Sequence, residues 1–369
     1  MNAQEKTRLS FDCTRWLVGH PRTRQTAQAI LADLAAAIDP ALLPDVYGQG
    51  ELLNDFEKQV AGLLGKPAGV FMPSGTMAQQ IALRIHADRS HIPHVAFHPL
   101  CHLEIHEQKG YQLLHGLHGV LVGSPQRLLT LDDLKKVTEP LAVLLLELPQ
   151  REIGGQLPTW DELTAIVAWA HEHNIVLHLD GARLWECQPF YQRSYAEIAG
   201  LFDTVYVSFY KILGGITGSM LLGPEDHIAE ARIWQRRHGG NLVRMFPFVL
   251  SAKQGLETRL DRMTAYHAKA IEIAEVLAAF PEIEVMPNPP HTNMMHVFIR
   301  GEADRLEEAA LGIAREQKVW LSNGFMPSQI PAYQKFELTV GDGALEFSRE
   351  EIAQLFKTLI QKSTTRTGH

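Results

Sequence analysis

At 369 residues, with 46% apolar residues and a net charge of −8, the chain is long enough for about two packed units and has no basic footprint for nucleic acid or anionic membrane. A small molecule is the expected partner. Cys13, Cys101 and Cys187 are odd in number and far apart, without a CxxC pair, which speaks against a disulfide framework or a thiolate zinc site and for a reducing compartment. The opening MNAQEKTRLS holds no apolar signal-peptide core, and the longest apolar run, Leu141 to Leu146, is too short to span a bilayer, so a soluble cytoplasmic protein is expected.

In chain order, residues 1–20 read as irregular, and Pro21 precedes an alanine-rich helical stretch, Thr23 to Ile38, ended by Asp39-Pro40. Asp45-Val46-Tyr47-Gly48 has turn character, and Leu52, Leu53, Phe56, Val60 and Leu63 make one apolar face of a helix from Glu51 to Leu64. Strands and helices then alternate: a strand at Ala68 to Met72, a turn at Ser74-Gly75-Thr76, a helix from Met77 to Ala87, and strands at Val95 to Phe97, Val120 to Val122, Leu141 to Leu148, Ile175 to Asp180 and Val205 to Phe209. The Leu141 and Ile175 runs are apolar enough for burial on both faces, as in a mostly parallel sheet covered by helices. Thr159 and Glu162 have the spacing of a capping box at the head of a helix from Trp160 to His173.

Past Pro247 the pattern changes to a long helix, Ala252 to Phe280, followed by strands near Ile283, Met295 and Phe336 and helices over 303–316 and 348–362. The expected division is an N-terminal arm and helix over 1–44, a large α/β domain over 45–247 and a smaller α+β domain over 248–369, frayed from Thr364 onward.

The chemistry centres on Val205 to Gly223. Lys211 follows a strand of alternating apolar residues and is held by Gly214, Gly215 and Gly218 before a second apolar strand, Ser219 to Leu222. An amine in such apolar surroundings is partly neutral near pH 7 and can condense with a carbonyl. Ser74-Gly75-Thr76, between a strand and a helix, turns backbone N–H groups and two hydroxyls toward an anion, with phosphate the obvious ligand. Neither GxxxxGK[ST] nor GxGxxG occurs, so a nucleotide site is not indicated. Asp180 ends an apolar strand at the sheet edge where ligands bind, and needs a cation or proton donor there. Together the three suit pyridoxal phosphate: Lys211 for the aldehyde, Asp180 for the pyridine nitrogen and Ser74 to Thr76 for the phosphate.

With these residues in place, the chain resembles the threonine aldolase and β-eliminating lyase group of fold-type-I pyridoxal-phosphate enzymes. The likeness runs through DVYG at Asp45 to Gly48, PSGTM at Pro73 to Met77, His102, Glu147 with Gly154-Gly155, HLDGAR at His178 to Arg183, the lysine segment, and TNM at Thr292 to Met294. It implies a three-layer large domain with a mostly parallel sheet and a smaller α+β C-terminal domain. It also implies that His102 stacks on the cofactor ring, that Arg183 holds the substrate carboxylate, that Arg244 helps bind phosphate, that Ser208 is among the cofactor contacts, and that Tyr47 comes from a neighbouring subunit of a homodimer or homotetramer.

The sequence departs from the pattern at four points: Phe11 stands before Asp12 where serine is usual, Gln150 where the family has a histidine facing the substrate hydroxyl, Glu337 where it has a second arginine, and Tyr210 before the lysine. The implied reaction is retro-aldol cleavage of a β-hydroxy α-amino acid, with β-elimination from a substrate bearing a Cβ leaving group as the alternative. A third reading is a metal hydrolase using His91, His94, His98, His102 and His106. The spacing disfavours it, because Glu104 lies about 200° around a helix from His102 instead of following it directly. A catalytically silent binding protein is disfavoured because Lys211 and Asp180 are both present.

Overall fold

The computed structural model describes residues 2–19 and 25–364. The described chain forms two compact units, Leu34–Asp261 and a second that joins the N-terminal residues up to Asp33 to those from Arg262 onward. The larger unit is built on seven strands: β1 (Ala68–Met72), β2 (His94–Phe97), β3 (His118–Leu121), β4 (Val143–Glu147), β5 (Val176–Gly181), β6 (Thr204–Ser208) and β7 (Ser219–Gly223). They lie in the order β1-β7-β6-β5-β4-β2-β3. The run β6-β5-β4-β2-β3 is parallel, and β7 is antiparallel to both β6 and β1. Every residue of β6 is buried, as are Val143 to Leu146 of β4, which is why these segments are continuously apolar instead of alternating.

Helices cover the sheet. Helix α1 spans Glu51–Leu63, α2 Gly75–Ser90, α3 Trp160–Glu172, α4 Glu225–Arg237 and α5 Phe246–Arg259. Ala78, Ile81, Ala82 and Ile85 of α2 pack with Val70, Tyr206, Leu221 and Ile228 of α4 in one core cluster. Phe56 of α1 meets Phe71 and Phe209, with ring centroids 6.2 and 5.1 Å away. The carboxyl ends of β4, β5 and β6 consequently open side by side at one edge, where chains of this topology bind ligands.

In the second unit, strands β8 (Ile283–Met286), β9 (Met294–Arg300), β10 (Met326–Pro327) and β11 (Tyr333–Thr339) form an antiparallel sheet in the order β10-β11-β9-β8. Helices α6 (Met263–Leu277), α7 (Ala303–Gln317) and α8 (Arg349–Thr364) belong to the same unit.

Two expectations are revised. The long helix over 252–280 is two helices, α5 and α6, separated by a 3-10 turn at Leu260–Arg262 that no glycine or proline announces. Arg262 and Tyr266 both donate to Asp342 just beyond that turn. Residues Ala3–Phe11, expected to be irregular, form a helix started by a reciprocal capping box between Asn2 and Glu5. Helix α5 lies in the larger compact unit, where Gly255 packs on the carbonyl of Leu213, a Cβ there coming within 2.4 Å, and Ser251 Oγ accepts from Ile216 N at 2.8 Å. The expected helix start at Pro21 and Thr23 and the frayed end at 365–369 lie outside the described residues.

Candidate active site

Asp180 is 1% exposed, near the carboxyl end of β5, opposite Glu147 on β4 and Tyr206 on β6. A carboxylate this deep needs donors. Asp180 Oδ2 accepts from Gln79 Nε2 at 2.9 Å and Oδ1 from Ala182 N at 3.1 Å. Glu147 accepts from Gln150 Nε2 at 2.9 Å and from Arg151 N at 3.2 Å. Loss of solvent, and then the neighbouring Asp180 charge, push the Glu147 carboxyl above its usual range.

Lys211 follows β6 on a turn closed by hydrogen bonds from Gly214 N to Lys211 O at 3.0 Å and from Gly215 N to Phe209 O at 2.7 Å. A Cβ on Gly215 would lie 2.8 Å from the Phe209 carbonyl, and one on Gly218, at φ +110°, would reach 2.3 Å from the Phe71 ring, so this turn requires glycine at both positions. Desolvation, reinforced by the Arg183 charge, lowers the Lys211 ammonium below its ordinary value, against the opposing pull of Asp180, Glu147 and Glu186. The sequence expectation of an amine biased toward its neutral form thus has a structural cause.

Ser74 begins α2 in an extended conformation, and its side chain makes no capping hydrogen bond to its own helix. Gly75 sits against the Tyr206 hydroxyl, where a Cβ would come within 2.0 Å, so the start of α2 packs directly on β6 and no larger residue fits there. Thr217 Oγ1 donates to Pro73 O at 2.8 Å, and Tyr206 and Tyr210 hydroxyls are 3.3 Å apart. From α2, Gln79 reaches Asp180 while the adjacent Gln80 Nε2 donates to Glu107 Oε2 at 3.1 Å; Glu107 Oε1 in turn lies 3.0 Å from His102 Nδ1. One helix therefore braces both the Asp180 carboxylate and the His102 ring.

The remaining expected residues fall into two groups. Ser208 is buried and spends its hydroxyl on Ala182 O at 2.7 Å, tying the lysine strand to the Asp180 loop. Arg183 begins the turn after Asp180 and its charge bears on both Lys211 and Glu147. Tyr47, at φ 48° and 52% exposed, and Arg244 share a different corner: Arg244 Nη1 donates to Asp45 O at 2.7 Å, and the Asp45 carboxylate caps α5 through Met245 N at 2.8 Å and Phe246 N at 2.7 Å. The same loop touches the first turn of α2 at Gly240, where a Cβ would lie 2.3 Å from Met77 Sδ.

Sequence reasoning missed Gln79, Gln80 and Glu107; the available signal was two consecutive amides on the buried face of a helix between Ala78 and Ile81. Of the histidine run, His98 bonds to the carbonyls of Ser124 and Arg127 at 2.9 Å each, and His106 Nε2 lies 2.9 Å from Glu152 Oε1. Among the described residues no group of three or more His, Cys, Asp or Glu is placed to hold a metal ion.

The profile of the beta-eliminating lyase family matches residues 23–302. The chain belongs to that family. Among its relatives, the aldolase vrtJ of Penicillium aethiopicum is 32% identical over 74% of this chain and 71% of its own length, and the low specificity L-threonine aldolase of Saccharomyces cerevisiae is 29% identical over 78% and 74%. The solved structure of a Listeria monocytogenes protein provisionally named an L-allo-threonine aldolase superposes with a TM-score of 0.91 at 42% identity, covering 96% of this chain and 99% of that one. Beta-eliminating lyases of this group are pyridoxal-phosphate enzymes, and this chain is a pyridoxal-phosphate-dependent lyase with the fold-type-I architecture. The groups present fit that cofactor: an amine whose ammonium form is disfavoured by burial, a buried carboxylate, and a helix start whose Ser74 side chain makes no capping bond of its own. Among the described residues no helix is long and apolar enough to cross a membrane.

Proposed function

We propose that this lyase cleaves the Cα–Cβ bond of a β-hydroxy α-amino acid to give glycine and an aldehyde, a reading supported by relatives named an aldolase and a low specificity L-threonine aldolase. The observation that carries the reading is the Lys211 amine, depressed by burial, beside the Asp180 carboxylate and the glycine-lined turn. When bound, pyridoxal phosphate supplies an electron sink for the pair released at Cα. Lys211 would hold the cofactor aldehyde, and Asp180, kept in place by Gln79 and Ala182 N, would hold a proton on the pyridine nitrogen. Ser74, Gly75 and Thr76 would bind the phosphate, together with Arg244 and the partner subunit's Tyr47; Ser208 ties the lysine strand to the loop after Asp180, and His102, oriented by Glu107, would stack on the ring. Arg183 takes the substrate carboxylate with a planar fork that matches its two oxygens. The unit at work is a homodimer or homotetramer in a reducing cytoplasm, a setting supported by three cysteines that are buried and far apart in the chain.

A specific observation favours a second reading. The Gln150 amide is committed to Glu147 and to Leu100 O, so the usual histidine at that place has no basic substitute in situ, and β-elimination needs none. The holoenzyme incubated with threonine, phenylserine and amino acids bearing a Cβ leaving group decides between them. Glycine with aldehyde supports the first reading; pyruvate with ammonia and no glycine rejects it.

A further inference from the structure

Retro-aldol cleavage needs a group that takes the proton of the β-hydroxyl. Gln150 cannot, since an amide has no useful basicity and its N–H groups are spent at 2.9 Å on Glu147 and 3.2 Å on Leu100 O. Two residues on, the same loop presents Glu152. Its Oε1 lies 2.9 Å from His106 Nε2 and 3.0 Å from Arg151 Nη1. The His106 ring centroid is 5.0 Å from that of His102, the ring assigned to the cofactor face in the reading above. The His106 side chain is 41% exposed, so a substrate can reach it. Glu104, on the short helix His102–Ile105 that His106 ends, is already engaged by Lys109 and Tyr111, and Glu107 by His102 and Gln80, which leaves Glu152 as the carboxylate that orients His106.

We propose that His106 is a catalytic base of this enzyme, accepting the β-hydroxyl proton of the substrate, and that Glu152 is its positioning residue. With Nε2–H donated to Glu152, Nδ1 carries the free lone pair. The proton passes from the β-hydroxyl to Nδ1, the O–C bond becomes the aldehyde carbonyl, the Cα–Cβ bond breaks, and its pair stays with the Cα fragment. Reprotonation of Cα and release of the proton from His106 complete the balance, so no oxidant or co-reactant is consumed. The groups facing His106 are Glu152, with Arg151 behind it, and His102, itself tied to Glu107. The Glu152 carboxylate stabilises the imidazolium formed in the step.

The inference rests on the retro-aldol reading, and its test separates the two. Full-length holoenzyme, wild type, His106→Gln and Glu152→Gln, is assayed for threonine and phenylserine cleavage and for exchange of the glycine Cα proton with deuterium, which needs no hydroxyl base. His106→Gln is expected to lose cleavage by about 10²- to 10⁴-fold, the range for a general base, with glycine exchange held within about threefold. In Glu152→Gln, kcat for cleavage is expected to fall while KM and glycine exchange stay near wild type, because the carboxylate no longer aims the His106 ring, and adding Glu152→Gln to His106→Gln should cost little more than His106→Gln alone. Unchanged cleavage in His106→Gln, equal loss of cleavage and exchange, or additive losses in the double variant overturns the assignment. A wild-type enzyme that exchanges glycine but cleaves no β-hydroxy amino acid overturns the retro-aldol reading, and His106's role with it.

Discussion

Replacing Asp180 by Asn separates charge from structure at the centre of the site. In the native protein Oδ1 accepts from Ala182 N and Oδ2 from Gln79 Nε2, while Gln79 Oε1 is buried without a partner. The asparagine oxygen keeps the first bond. Its NH₂ then faces the Gln79 NH₂, a donor against a donor, and rotating the Gln79 amide by 180° brings Oε1 into line and restores a hydrogen bond. The fold should thus lose no more than about 1 kcal/mol, the net worth of one such bond. The negative charge is gone, however. A nearby opposite charge shifts a pKa by about 1 to 3 units, and each unit is about 1.4 kcal/mol, so the protonated pyridine should lose about 1.4 to 4 kcal/mol of support. Turnover should fall by about 10- to 1,000-fold with cofactor occupancy and melting temperature near wild type. Cofactor absorbance, thermal unfolding and kcat for threonine measure the three quantities. Unchanged turnover removes Asp180 from the chemistry, and a large loss of stability refutes the proposed rotation of Gln79.

Borohydride reduction of the holoenzyme followed by peptide mapping should place the cofactor adduct on Lys211, and an adduct on any other lysine sinks the assignment. Arg183→Lys should raise KM for threonine by about 12- to 160-fold, corresponding to about 1.5 to 3 kcal/mol for a hydrogen bond to a charged group, while the cofactor stays bound; an unmoved KM rejects the carboxylate clamp. A buried cluster should make stability fall in acid: His86 and His178 share Thr204 Oγ1 at 3.0 and 2.8 Å, and the His86 and His227 rings are 4.4 Å apart. Burial holds His86 well below its usual value and lowers His178 to about 3 and His227 to about 4. The unfolded chain therefore binds more protons from about pH 6.5 downward, so stability is full above that value and declines below it, by about 2 kcal/mol per neutral histidine at pH 5. Urea unfolding at pH 7.5 and pH 5 checks this, and His227→Phe should flatten the decline; identical pH dependence in that variant refutes the contribution of His227.

Much of the large unit was legible because its signals are local. Continuous apolar runs mark strands buried on both faces, and β4, β5 and β6 fall within one or two residues of Leu141 to Leu148, Ile175 to Asp180 and Val205 to Phe209. Asp180, Lys211 and Ser74 stood out for the same reason, each a polar group at the end of an apolar strand or the start of a helix. Pairings between distant parts of the chain were set only by the tertiary structure. Gln79 and Asp180 are 101 residues apart, and His106 and Glu152 are 46 apart; no periodicity connects either pair. Gln79 and Gln80 read as ordinary helix residues until the parallel sheet beneath α2 puts a buried carboxylate at one and the Glu107–His102 pair at the other. The break at Leu260–Arg262 was likewise invisible, because its donors converge on Asp342, about 80 residues on, and nothing in the local residues disfavours helix. Local propensity acts within a turn or two of chain, whereas a buried charge takes its partner from whatever the packed sheet brings beside it, and that partner decides what the charge can do.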